Sequence, residues 1–302
     1  MNRRSRSVLL VIAAAMLWGT YGSFVTVILA QGLSGPVITF LRFLATCVPV
    51  YFFLLLRDRE SLRIRKKDLP LFLANGLASI LFFTLCYTAA IRETKIATAA
   101  ALLYTSPAMV MLLSAAVFRE KLTARKILCV ALAVLGCALI SGLGQGAAGL
   151  TLRGLLLGLG AALGYSLYSI FSRIILDRGY SPLANVLYTF SVATAGYLVL
   201  IAANGTLPEV WLCPRGSVLS VVCGLLTGLI PYLAYTVGLR DLEPSRAAQL
   251  ATVEPVFAAV LGAVLFRQLL SLPETLGVAL VVAAVILMNA SPGKGGAGKP
   301  EN

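Results

Sequence analysis

Apolar side chains run along this chain in ten blocks, at residues 8–29, 36–56, 69–91, 96–118, 124–143, 154–174, 183–203, 217–239, 247–266 and 273–290. A hydrocarbon layer about 30 Å thick is crossed by roughly 20 such residues in a helix, so each block is predicted to be one transmembrane helix. Composition agrees, with 59% hydrophobic and 12% charged residues over 302 positions. Soluble domains carry about twice that share of charge. The expected class is an all-α integral membrane protein with ten transmembrane helices.

The pattern repeats 148 residues later. Gly76-Leu77 recurs as Gly224-Leu225, Tyr87-Thr88 as Tyr235-Thr236, Arg92 as Arg240 and Pro107 as Pro255. Phe118-Arg119 recurs as Phe266-Arg267, and Val130-Ala131-Leu132 as Val278-Ala279-Leu280. Near the start the offset is 147, pairing Trp18 and Tyr21 with Tyr165 and Tyr168. The chain is therefore divided at 1–148 and 149–290, followed by a tail at 291–302 whose Gly, Lys and Pro content predicts a disordered cytoplasmic segment. Five helices per copy is an odd number, so the second copy must enter the membrane from the opposite side, as two inverted five-helix repeats.

Charge sets the orientation and supports the inversion. With a cytoplasmic N-terminus, nineteen basic residues fall on inner segments, five (Arg92, Lys95, Arg153, Arg215 and Arg267) on outer ones, and Arg42 within a helix. Inner excess of Lys and Arg is the signature of cytoplasmic loops, which places both termini inside a plasma (inner) membrane as a multi-pass protein. Homologous loops carry opposite bias: 57–68 holds six basic residues and its partner near 204–216 only Arg215. The formal charge of +13 then reflects topology and attraction to anionic membrane lipid rather than nucleic acid, for which no binding fold is recognisable. Arg3, Arg4 and Arg6 ahead of an apolar run also resemble a secretion signal. The run continues past its alanines and has a repeat partner, so it is expected to be retained.

Several chemistries are disfavoured. There is no histidine, and the six cysteines show no metal-ligand spacing, so metal and cofactor sites and catalytic His triads are not expected. Cys47, Cys86, Cys129, Cys137 and Cys223 read as small packing residues, whereas Cys213 is expected outside.

Leu103-Tyr104-Thr105-Ser106-Pro107, running through Phe118-Arg119-Glu120-Lys121-Leu122-Thr123 to Gly136, resembles the fourth and fifth helices of EamA-type carriers in the drug/metabolite transporter superfamily. Glu254-Pro255 resembles the ninth helix of that family, and Arg42-Phe43 its second. Gln268 departs from the usual Glu in the turn after the ninth helix. The resemblance implies a secondary transporter with helices one, three, four, six, eight and nine around a central cavity, and export as its direction.

Residue spacing is consistent with that placement. Trp18 and Tyr21 lie on one helix face, as do Tyr165 and Tyr168 in the sixth helix. Tyr87, Tyr104, Ser106, Tyr232, Tyr235, Gln249, Thr252 and Glu254 complete the expected substrate-binding set, with Pro107 and Pro255 as helix breaks. Aromatic belts and plain packing explain any single member equally well. Glu254, a carboxylate well inside an apolar segment, is the candidate for coupling, for holding a solute amine or for pairing with Arg42. For Arg42, near the expected outer end of its helix, snorkelling to the interface is the preferred reading.

The expected activity is alternating-access transport of a small organic metabolite, amino-acid-like or amphipathic. Non-enzymatic transport is favoured, because the loop acids form no recognised catalytic motif. Two alternatives stay open at this stage: a non-transporting scaffold or receptor, and a membrane-embedded lipid enzyme.

Overall fold

In a computed structural model the described residues, 3–94, 96–141, 151–266 and 271–289, fold into helices joined by short connections. Nine helices among the described residues are long and apolar enough to cross a membrane. They are α1 (Arg3–Leu29), α2 (Gly35–Arg57), α3 (Lys66–Glu93), α4 (Thr98–Phe118), α6 (Leu152–Asp177), α7 (Pro182–Ala203), α8 (Pro214–Gly238), α9 (Pro244–Val264) and α10 (Leu272–Asn289). The remaining expected span is the helix α5 (Ala124–Ile140). Its 17 residues rise about 25 Å, short of a full hydrocarbon layer. The expected tail at 291–302, with Lys95, Arg267 and Gln268, lies outside the described residues.

Which helices touch follows the repeat. Helix α1 packs on α8 and α9, and α6, five helices later, packs on α3 and α4. Helix α2 packs on α7 and α8, and α7 on α2 and α3; α5 lies along α10. Exchanging each helix for the one five further on reproduces the same set of pairs. Outward-facing positions are apolar, as at Leu56 (76% exposed), Phe52 and Val199, which gives a surface suited to lipid rather than water.

Close packing needs glycine where the copies cross. A β-carbon on Gly76 would stand 2.5 Å from Val192 Cβ, and one on Gly224 2.7 Å from both Ala45 Cβ and the Arg42 carbonyl oxygen. Ala45 and Val192 are themselves separated by the 147-residue offset, so the two crossings are counterparts. Gly76 lies within one widened π-helical turn, Asn75–Leu81 in α3, and Gly224 immediately precedes the other, Leu225–Leu229 in α8. Small residues allow such close backbone approach in membranes.

Polar contacts tie the connections into two ends. At one end Asp68 accepts hydrogen bonds from Arg65 Nε (2.7 Å) and Tyr180 Oη (2.8 Å) and pairs with Arg178, while Ser7 donates to Asp241 at 2.6 Å. Lys126 Nζ bridges Glu120 (3.1 Å) and Glu243 (2.6 Å), and Arg173 Nη1 donates to the Leu239 carbonyl at 2.8 Å. At the opposite end the Ser34 amide donates to Glu209 (2.7 Å), and Arg153 pairs with Glu93 (3.3 Å).

Replacing Gly224 with Val inserts side-chain atoms where even a methyl group overlaps the α2 backbone. The expected loss is about 1–3 kcal/mol, seen as a lower melting temperature of the solubilised protein. Unchanged melting would show that α2 and α8 do not cross here.

Candidate functional site

Three helices are interrupted where they meet. Helix α1 breaks at Thr20, α4 at Tyr104–Thr105 and α9 at Thr252. In each case a threonine hydroxyl donates to the carbonyl three residues earlier, at 2.7 Å: Thr20 to Leu17, Thr105 to Leu102 and Thr252 to Gln249. Proline has no amide hydrogen, so Pro107 and Pro255 each leave a carbonyl one turn back without its helical donor. The interruptions fall two or three residues before those prolines and span only one or two residues. The α1 break has no proline at all.

The breaks are brought together by α1 and α6. A β-carbon on Gly19 would lie 2.8 Å from the Glu254 carbonyl oxygen, so only glycine lets α1 cross α9 here. Its counterpart Ser166, 147 residues on, instead donates to the carbonyl of Ser106, the counterpart of Glu254, at 3.1 Å. The same crossing is thus made twice, once by contact and once by a hydrogen bond.

Beside these crossings lies a cavity of about 350 Å³ walled by α1, α2, α3, α4, α6, α8 and α9. Of the expected residues, Trp18, Tyr21, Arg42, Tyr87, Tyr104, Tyr165, Tyr232 and Glu254 line it. Thr39, Phe83, Thr84 and Thr88 line it too and were missed by sequence reasoning. Phe83 with Tyr87 and Thr84 with Thr88 are i, i+4 pairs, a stripe that periodicity alone offers. The cavity reaches the surface at Thr88 and Ile96, the latter 68% exposed.

Toward the opposite end the cavity is shut by aromatic rings. Trp18 meets Tyr232 at 5.0 Å and Tyr235 at 5.4 Å between centroids, and Tyr168 meets Tyr232 edge-on at 5.0 Å. Hydroxyls pin two of them: Tyr168 to Thr236 at 2.8 Å and Tyr235 to Ser169 at 2.7 Å. The gap left among the rings is about 10 Å³, room for at most one water. Tyr168 and Tyr235 therefore form a floor and not a wall.

Arg42 departs from expectation. It is 6% exposed and does not snorkel. Its Nε donates to Thr227 Oγ1 at 3.0 Å and its Nη2 to the Thr227 carbonyl at 2.7 Å, filling the widened turn of α8. Its guanidinium carbon lies 4.4 Å from the centroid of the Tyr21 ring, in cation–π contact. The contact ion pair with Glu254 is not formed; the two charges line one cavity separately. Tyr165 and Glu254 line the same cavity.

Ser106, Gln249 and Thr252 do not line the cavity. Ser106 and Thr252 are buried, and Gln249 is fully buried with neither its amide nitrogen nor its oxygen hydrogen-bonded. The Trp18 indole Nε1 is likewise buried and without a partner.

Comparison with known proteins accounts for this arrangement. The EamA-like transporter family matches the chain twice, over residues 5–142 and 152–290. The chain belongs to the EamA-like transporter family. An uncharacterised transporter of Archaeoglobus fulgidus is 28% identical over 92% of this chain and 94% of its own length. YwfM of Bacillus subtilis, also an uncharacterised transporter, is 25% identical over 95% and 94% respectively. A solved crystal structure superposes over 94% of this chain and 96% of its own with a TM-score of 0.79 at 19% identity, a likeness of fold. As an EamA-like, multi-pass membrane transporter of the drug/metabolite transporter superfamily, the protein handles a small-molecule solute within membrane lipid.

Arg42→Lys keeps the charge but not the two-point contact with Thr227. The expected cost is about 1.5–3 kcal/mol, read as a lowered melting temperature. A lysine variant that melts like the wild type would remove Arg42 from its role in holding the α8 turn.

Proposed function

We propose that this EamA-like transporter moves an amino-acid-like or amphipathic metabolite by alternating access, in the export direction that its resemblance implies. The observation that carries the reading is a single cavity presenting Glu254 and Arg42 apart from each other among aromatic walls. A solute bearing an amine and an acid, or an apolar body with a polar end, matches such a lining. Aromatic faces bind apolar bodies and cations alike.

Ten transmembrane helices in two inverted repeats (1–148 and 149–290), with a cytoplasmic tail at 291–302, complete the proposal. Supporting it, α5 is the one short member, and the helix pairs exchange under a shift of five. Because five crossings reverse chain direction, the two-fold axis relating such copies lies in the membrane plane. The end holding Lys126, Arg65 and Arg178 is assigned to the cytoplasm of a plasma (inner) membrane, with both termini there. The cavity then faces outward. The cytoplasmic side is closed first by the aromatic floor and then by Lys126, which clasps Glu120 at the α4–α5 turn to Glu243 at the α8–α9 turn. Buried Gln249, whose amide has no partner in this state, acquires one when that side opens. An unsatisfied buried amide costs about 1–3 kcal/mol, an energy released on opening.

Purified protein in proteoliposomes is expected to carry at least one solute of a broad metabolite panel down its gradient. Glu254→Gln should abolish the pH dependence of that flux while the protein stays folded. No flux for any solute would sink the transport reading; a normal pH response in the variant would remove Glu254 from coupling. Orientation is checked separately in intact cells, where an impermeant thiol reagent should label Cys213 and spare a cysteine placed at Ser61. The reverse pattern inverts the topology.

A further inference from the structure

Beyond the transport pathway, the cytoplasmic end contains a second cavity of about 580 Å³, set among the start of α1, the starts of α5 and α9, and the end of α10. Four cationic side chains, Arg4, Arg125, Lys126 and Arg246, line it against one carboxylate, Glu243. Like charges gathered in one recess repel each other unless an anion lies among them. The charges that have protein partners are only partly matched. Lys126 is held by Glu120 and Glu243, and Arg125 Nε donates to the Leu287 carbonyl at 2.8 Å. Arg246 Nη2 donates to Asn289 Oδ1 at 2.6 Å, but its Nε is buried without any partner. Arg4 forms no ion pair or hydrogen bond among the described residues.

The location decides what kind of anion fits. The recess shares α1 and α9 with the central cavity but adds α5 and α10, which line no part of that cavity, so it opens on the α5–α10 side of the cytoplasmic closure. Its lining also includes Val8, Leu9 and Met288, and Leu9 is 54% exposed. Beside it, α5 turns Ile127 and Leu128 outward, each about half exposed. Guanidinium groups thus lie directly against a lipid-facing apolar surface. That arrangement suits a molecule with a phosphate at one end and acyl chains at the other.

We propose that this recess is a binding site for the head group of an anionic phospholipid, with its phosphate taken by Arg4 and Arg246. Guanidinium groups donate to phosphate in a two-point geometry; Arg4 has no partner among the described residues to occupy it, and Arg246 reaches the recess with only its Nη2 bonded, to Asn289. Lys126 borders both this recess and the clasp on Glu243, so a bound lipid phosphate sits next to the cytoplasmic closure.

The test uses the full chain, purified in a non-ionic detergent, with its melting temperature followed as lipid is added. Phosphatidylglycerol should raise the melting temperature above the value in phosphatidylcholine, and native mass spectrometry should retain one phosphatidylglycerol per protein. Arg4→Gln combined with Arg246→Gln should abolish most of that increment and weaken retention by roughly a hundredfold, the effect of losing two charged contacts. Melting in phosphatidylcholine alone establishes that this variant is folded. Arg59→Gln with Arg63→Gln, basic residues of the same face outside the recess, should keep the full increment. Three results overturn the proposal: an undiminished increment in the Arg4 and Arg246 variant, an equal loss in the Arg59 and Arg63 variant, or an equal rise with inorganic phosphate or glycerol 3-phosphate in place of lipid.

Discussion

In a hydrocarbon layer, a backbone carbonyl released from its helix has no water to turn to, and everything distinctive about this protein's centre follows from that constraint. A solute pathway needs helices that bend and open, yet each opening frees a polar group. The chain answers locally. Thr20, Thr105 and Thr252 each return a hydroxyl to the carbonyl three residues back, keeping each interruption to one or two residues. The wider turn of α8 frees a carbonyl in the same way, and Arg42 reaches across from α2 to bind it. The cavity exists because the breaks can be stabilised there.

The repeat supplies the geometry, and its imperfections supply the chemistry. Gly19 and Ser166 make the same crossing with different atoms, one by absence of a side chain and one by a hydroxyl. The widened turn of α3 has no arginine opposite it. There Asn75 Nδ2 donates to Asn185 (3.0 Å) and to Thr189 (2.8 Å), and Asn185 in turn donates to Ser172 (2.9 Å). Thr189 stands 147 residues after Arg42, so a neutral network occupies the place of a charge. Glu254 and Ser106 differ in the same sense. Each charged side chain of the cavity therefore comes from one copy alone, with a neutral residue at the related position in the other.

Much of this was legible from the chain alone, and what was not has a physical reason. Hydropathy located the helices, and the 148-residue period paired them, because a helix's apolar length and order are written directly in sequence. The aromatic set was legible from i, i+3 spacing on α1 and α6. Arg42 was misread because its position gives only depth; whether a neighbouring helix offers a widened turn at that depth is a tertiary fact. Proximity to proline wrongly drew Ser106 and Thr252 into the cavity. Each lies two residues from a lining side chain, Tyr104 and Glu254, hence about 200° around the helix and on its other side. The Thr20 break left no trace because it has no proline.

The unequal anchoring of the two widened turns has a kinetic consequence. A carrier with halves related by a two-fold axis and held by identical bonds would have two end states of equal energy. Here one turn is clasped by a guanidinium and the other by side-chain amides and hydroxyls, so under the alternating-access mechanism proposed above the two end states would differ in free energy. Half-saturation would then be reached at different solute concentrations on the two membrane faces. The final distribution of solute stays fixed by the gradients alone. On that mechanism the protein would act as a balance whose arms differ, reading concentrations on its two sides on separate scales while leaving the endpoint untouched.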